Sequence, residues 1–172
     1  MGIVNRHWFA ERVSQLLRQM TPAQRHALLQ VEVGGPRDIE PDVHRAFAER
    51  YGDPEALLQS LLPPRVWMTR LSAYRYRLFL PDHTRSQALS FAGQIVDFFK
   101  QAPVQWQGQT RALNVVLGLV AITRRSLSID EVFSQATAAC REARGANQRP
   151  IGIRTLPMPV LRDINPGLRQ IG

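Results

Sequence analysis

From Asn5 to Met20 the apolar residues fall at Phe9, Val13, Leu16, Leu17 and Met20, with Glu11, Arg12 and Arg18 between them, a helical period that predicts an amphipathic first helix. Thr21-Pro22 breaks it. Ala27 to Val33 then reads as a β-prone run that stops at Gly34-Gly35-Pro36, a turn sequence through which neither strand nor helix continues. Ile39, Val43, Phe47 and Tyr51 mark a second helix, interrupted at Gly52; Asp53 can cap and Pro54 can open a further helix through Leu62, which Pro63-Pro64 closes.

Arg65 to Leu71 and Arg75 to Leu80 are two β-prone runs a few residues apart, ended by Pro81-Asp82, the pattern of a hairpin. Arg85 to Gln101 is helical again, with Ala88, Phe91, Ala92, Ile95, Val96 and Phe99 on one stripe. Ala112 to Ile122 is nearly continuous apolar sequence, as a central strand covered on both faces requires. Ser128 followed by Glu131 forms a capping box and opens a helix carrying Val132, Phe133, Ala136, Cys140 and Ala143. Residues 150–172 hold Pro150, Pro157, Pro159 and Pro166 and little periodicity; Ile151 to Arg154 can add an edge strand, and the rest reads as linker or docking tail. The order of elements predicts an α/β fold with a mixed central sheet flanked by helices.

The 172 residues carry 22 basic and 14 acidic side chains, a formal charge of +8, and 44% are hydrophobic. A chain of this size buries an ordinary core. No apolar run approaches the length a bilayer crossing needs, and no secretory leader follows Met1, so a cytoplasmic location without membrane insertion is expected. Cys140 is the single cysteine, which excludes an internal disulfide or a cysteine-based metal cluster. Arginine supplies 21 of the 22 basic residues; it is the better fork for phosphate and carboxylate, but the arginines are scattered and form no nucleic-acid arm. Tyr74 and Tyr76 alternate with Arg75 and Arg77, a pattern that suits either stacking on bases or a solvated strand face. His7, His26, His44 and His83 have no metal-ligand spacing, and neither metal nor cofactor is expected.

Gly2 to Phe9, Arg70-Leu71 with Leu78 to Pro81, Val115 to Leu119, and Ser128 to Val132 followed by Ala136, Ala139 and Ala143-Arg144 together resemble four segments of the GGDEF domains of diguanylate cyclases: in turn the family's G-L-x-N-R-x-x-F opening, its central hairpin, its v-S-i-G-v strand and its last helix. The resemblance covers residues 2–149 in family order. It implies a nucleotidyl-cyclase palm-like sheet over residues 1–149, followed by the Pro-containing segment 150–172.

The resemblance also implies two glycines and acidic residues at the hairpin tip, for GTP and Mg²⁺, where this chain has Ser72-Ala73-Tyr74-Arg75-Tyr76. The first-strand metal carboxylate falls on Val31, or on Glu32 after a one-residue slip. The guanine-reading Asn falls on Ile39, within Gly35-Pro36-Arg37-Asp38-Ile39, and the guanine-reading Asp near Ala48 or Gly52-Asp53. The phosphate-contacting Lys corresponds to Arg144. The R-x-x-D product site falls on Pro63 and Val66, with Arg65 nearby but Met68 three residues on. These substitutions lead to the expectation of a GGDEF-like signalling domain that is not an enzyme. It would act as a regulatory module for a protein partner, a neighbouring domain or a second copy of itself, in cyclic di-GMP-related signalling. Leu156, Met158, Val160 and Leu161 form the candidate docking strip. The alternatives are a sensor holding GTP or cyclic di-GMP through Arg70, Arg75 and Arg144, and a basic nucleic-acid-binding module.

Overall fold

The computed structural model describes residues 3–34, 41–123, 128–145 and 150–156. In chain order the elements are β1 (Ile3–Val4), α1 (Arg6–Arg18), β2 (His26–Val33), α2 (Pro41–Tyr51), α3 (Pro54–Ser60), β3 (Trp67–Ser72), β4 (Arg75–Leu80), α4 (Arg85–Lys100), β5 (Val104–Trp106), β6 (Gln109–Arg111), β7 (Val115–Ile122), α5 (Ile129–Gly145) and β8 (Ile151–Leu156). The main sheet has six strands in the order β1-β3-β4-β2-β7-β8. The outer pairs β1–β3 and β7–β8 are parallel, and the inner pairs are antiparallel. The expected mixed sheet flanked by helices is present.

Alternation along the strands decides which helix layer each side chain meets. Ala27, Leu29, Val31 and Val33 of β2, with Tyr76, Leu78 and Leu80 of β4, join one core with residues of α2, α3 and α4. Leu28, Phe79, Trp67, Val120 and Ile122 join Phe9, Val13 and Leu17 of α1 and Val132 and Ala136 of α5 in a second core. Every residue of β2 and β7 is buried, as their positions inside the sheet demand.

The second face changes character along its length. Leu28, Gln30 and Glu32 of β2 stand in register with Phe79, Arg77 and Arg75 of β4, so the face runs from apolar to charged toward the hairpin tip. α1 packs on β3, whereas α5 packs on β7, β8 and β2, which leaves β4 beneath the seam between the two helices. Apolar contacts close the far end of that seam, where Phe9 and Phe133 stack at 6.1 Å.

Several boundaries differ from the expectation. The two-residue strand β1 and the β5–β6 hairpin carry too little sequence to show a period. The second is a turn at Gln107 (φ 49°) and Gly108 (φ 75°), consecutive left-handed residues of the kind tight hairpins need. β7 begins at Val115, because Leu113 is buried in the core without joining the ladder. Besides the Ser128 hydroxyl accepting from the Glu131 amide at 3.1 Å, a full capping box opens α4 at Thr84 and Gln87. β8 runs on to Leu156, which is fully buried in the second core. Leu156 is therefore a core residue and not part of an exposed docking strip; Met158, Val160 and Leu161 lie outside the described residues.

Candidate functional site

The charged end of the seam is built by three elements. Glu32, near the end of β2, has a side chain only 5% exposed and pairs through Oε1 with Arg75 Nε at 3.1 Å. Its Oε2 accepts from Arg144 Nη2 of α5. The two guanidinium groups reach water, with side chains 44% and 34% exposed. Buried carboxylate oxygens need hydrogen-bond partners, and here both have one. Of the two candidate first-strand positions, Val31 points into the other core and Glu32 is the residue at the site.

Farther in, Arg77 donates from Nε to Gln30 Oε1 at 3.2 Å and from Nη2 to Thr137 Oγ1 at 3.3 Å, and Thr137 in turn donates to Gln30. Its guanidinium carbon lies 4.2 Å from the Phe133 ring centroid. Burial and the charge of Arg6 push its pKa down to about 10. Between the two arginine sites Cys140 is buried, its thiol on the Gln30 carbonyl, and burial above all, then the Glu32 charge, pushes it up to about 12. A thiol held protonated is no nucleophile.

The hairpin tip separates the expected residues onto two faces. Arg70 turns away from Arg75 and Arg144, bonding the Ser72 carbonyl at 3.1 Å and lying 3.8 Å from Glu55; it takes no part in the cluster. Tyr76 is buried in the core against α2 to α4, its phenol pushed up to about 12 by burial and the Glu55 charge. Tyr and Arg thus occupy opposite faces rather than one stacking surface. The tip is tied to the end of β2 where the Val33 amide donates to the Tyr74 carbonyl at 2.9 Å, and a bulge falls between Arg70 and Ser72.

Of the other expected positions, Asp53 caps α3 by accepting from the Glu55 amide, Val66 and Met68 are core residues, and Arg65 pairs with Asp82 at 3.1 Å. Residues Gly35 to Ile39 lie outside the described residues. Hard divalent cations need several oxygen ligands, and the seam supplies one carboxylate with both oxygens engaged by arginine. Among the described residues no group of three His, Cys, Asp or Glu could hold a metal. The residues of this cluster do not fit a pair of Mg²⁺ ions.

Sequence reading passed over two buried histidines. His44, on α2, is buried with neither ring nitrogen hydrogen-bonded, and its ring lies 4.2 Å from that of Tyr74. A Cβ on Gly34 (φ 73°) would come within 2.5 Å of its Nε2. His26 accepts the Asp82 amide at Nδ1, 3.0 Å away. Burial lowers both pKa values from 6.5. Unfolding raises them back, so the unfolded chain binds more protons as pH falls below about 6.5 and stability drops with it. The urea midpoint should therefore be lower at pH 5.5 than at pH 7.5; equal midpoints would refute the burial of both rings as neutral imidazoles.

No family model matches the chain. A curated relative from Escherichia coli (strain K12), described as a probable diguanylate cyclase, DgcE, is 24% identical over 148 residues, 85% of this chain and 13% of that protein. The chain thus spans about one-eighth of that relative's length. The GGDEF domain of DgcB from Caulobacter crescentus, solved with c-di-GMP, superposes with a TM-score of 0.65 at 13% identity, covering 88% of this chain and 91% of that one. The diguanylate cyclase SiaD from Pseudomonas aeruginosa, solved with its activator SiaC, gives 0.64 at 16% identity over 87% and 58%.

These likenesses overturn the expectation that the chain is not an enzyme. The proteins it resembles are diguanylate cyclases, and no comparison marks this chain as having lost activity. Among the described residues no helix is long and apolar enough to cross a membrane. Element order, mixed sheet and superposition agree, and the fold of this chain is that of a GGDEF domain.

Proposed function

We propose that the chain is a signalling domain of cyclic di-GMP-related pathways that binds the phosphate groups of a guanine nucleotide, GTP or cyclic di-GMP, through Arg75 and Arg144. The observation that carries this reading is the pair of part-exposed guanidinium groups held on the buried Glu32 carboxylate. Each guanidinium has five N–H donors, of which Glu32 engages only some. The cluster keeps a net positive charge, and arginine suits bidentate phosphate recognition. The guanine nucleotide is supported by the likeness to a GGDEF domain solved with c-di-GMP and to diguanylate cyclases.

Calorimetric titration with GTP, with and without Mg²⁺, and with cyclic di-GMP tests the proposal, and product analysis of the same GTP samples reports any turnover. Arg75→Ala and Arg144→Ala should each weaken binding about tenfold, the loss of one charge-assisted hydrogen bond. Absence of heat from either nucleotide, or binding untouched by both substitutions, would sink it.

A protein partner is the second reading, favoured by the complex of SiaD with its activator. Ile3 and Trp8, large apolar side chains exposed at the β1 and α1 edge, would contribute to such an interface.

A further inference from the structure

Arg77 is a partly buried cation held by neutral groups: the Gln30 amide oxygen, the Thr137 hydroxyl and the Phe133 ring. Among the described residues no carboxylate lies within ion-pair distance of it. Glu32, the carboxylate paired in the seam, has both oxygens on Arg75 and Arg144. A guanidinium taken out of water without a counter-charge is costly, and Arg6, close enough to depress its pKa, adds to the excess. Arg75 and Arg144 thus take up the Glu32 carboxylate and Arg77 is left beside neutral groups.

The placement is also specific. Gln30 and Thr137 bond each other as well as Arg77, which fixes the guanidinium while using two of its five donors. Arg75 and Arg77 are two residues apart on β4, so they share a face at about 7 Å. Thr137 and Arg144 are seven apart on α5, two turns along one side of that helix. The two cationic centres thus follow one another up the seam.

We propose that Arg77 is an anion-binding residue forming a second phosphate subsite at the inner end of the seam. This rests on the proposed function and extends it: the ligand carries at least two phosphoryl groups, one on Arg75 and Arg144 and one on Arg77. Arg77→Met keeps the apolar stem against Phe133 and removes the charge.

Inorganic phosphate, pyrophosphate and tripolyphosphate are titrated into the full chain and into the Arg77→Met and Arg75→Ala variants. The full chain should bind tripolyphosphate more tightly than phosphate. Arg77→Met should lose about tenfold for tripolyphosphate and nothing for phosphate, while Arg75→Ala weakens all three. Full tripolyphosphate affinity in a folded Arg77→Met protein, with Arg75→Ala weakened, would overturn the second subsite and leave the proposed function standing. Failure of the full chain to bind any of the three would overturn both. Should Arg77→Met not fold, the Nε–H resonance of Arg77 in the ¹⁵N-labelled full chain decides: a shift with tripolyphosphate supports the subsite, and an unmoved signal refutes it.

Discussion

Gly118→Ala is expected to lower the stability of the folded chain by about 3 kcal/mol, the upper part of the usual cost of overpacking. Gly118 lies in the middle of β7 with α5 directly above it. A Cβ there would press on the Ala136 carbonyl oxygen, approach the Cys140 amide nitrogen to 2.7 Å and meet the Ala139 methyl at 3.1 Å. Two of these are backbone atoms inside a helix, which no rotamer change can move aside. Gly152 on β8 has the same relation to Ala139, so two adjacent strands admit α5 at a distance that side chains would forbid. That distance also places Arg144 on Glu32 and Thr137 on Arg77, so the variant should lose phosphate affinity along with stability. Gly93→Ala on α4 is the control: its Cβ would meet nothing within 4 Å, and removing a helix glycine should stabilise by about 0.5–1 kcal/mol. Urea unfolding of both variants checks the pair; a Gly118→Ala protein within about 0.5 kcal/mol of the parent would contradict the close packing of α5.

Much of this architecture is legible in the chain because helix and strand periods leave different marks. The stripe Ala88, Phe91, Ala92, Ile95, Val96, Phe99 is buried as a stripe, and the run through Val115 to Ile122 is buried on both sides. Register is harder. A slip of one residue moves a strand side chain to the other face, and that one residue separates Val31 in the core from Glu32 between two arginines. The grouping of Arg70 with Arg75 and Arg144 fails for the same reason, since Arg70 faces away across the sheet. A signal was nevertheless there: Gln30 and Glu32 alternate with Leu29, Val31 and Val33 in a strand whose neighbours are apolar, and polar groups inside a buried strand need partners. Those partners come from β4 and α5, far away in sequence, and only the tertiary pairing names them. Leu156, apolar and beyond the last clear period, looks free in sequence and is core because β8 continues alongside β7 as far as Ile122.

Replacing Glu32 by Gln should move stability and ligand affinity in opposite directions. The carboxylate is buried and bridges two guanidinium groups; its amide isostere keeps one acceptor oxygen and turns N–H donors toward a second donor. Losing one partner of a fully buried ion pair costs about 3–5 kcal/mol, but Arg75 and Arg144 stay part hydrated, so a loss of about 1–2 kcal/mol is expected. For a phosphate ligand the same carboxylate is a competitor. Without it the cluster gains one net positive charge and frees donors on both arginines, so tripolyphosphate should bind about tenfold more tightly, with a steeper loss on raising salt because exposed charges are screened. If Glu32 instead contacted the ligand through a bound cation, the variant would bind GTP more weakly and only the parent would respond to Mg²⁺. Unfolding and titration on one preparation separate these cases: lower stability with tighter binding means that Glu32 positions the arginines and yields them to the phosphate. Weaker binding would mean that the carboxylate belongs to the ligand's own contacts, and the two-arginine cradle would have to be given up.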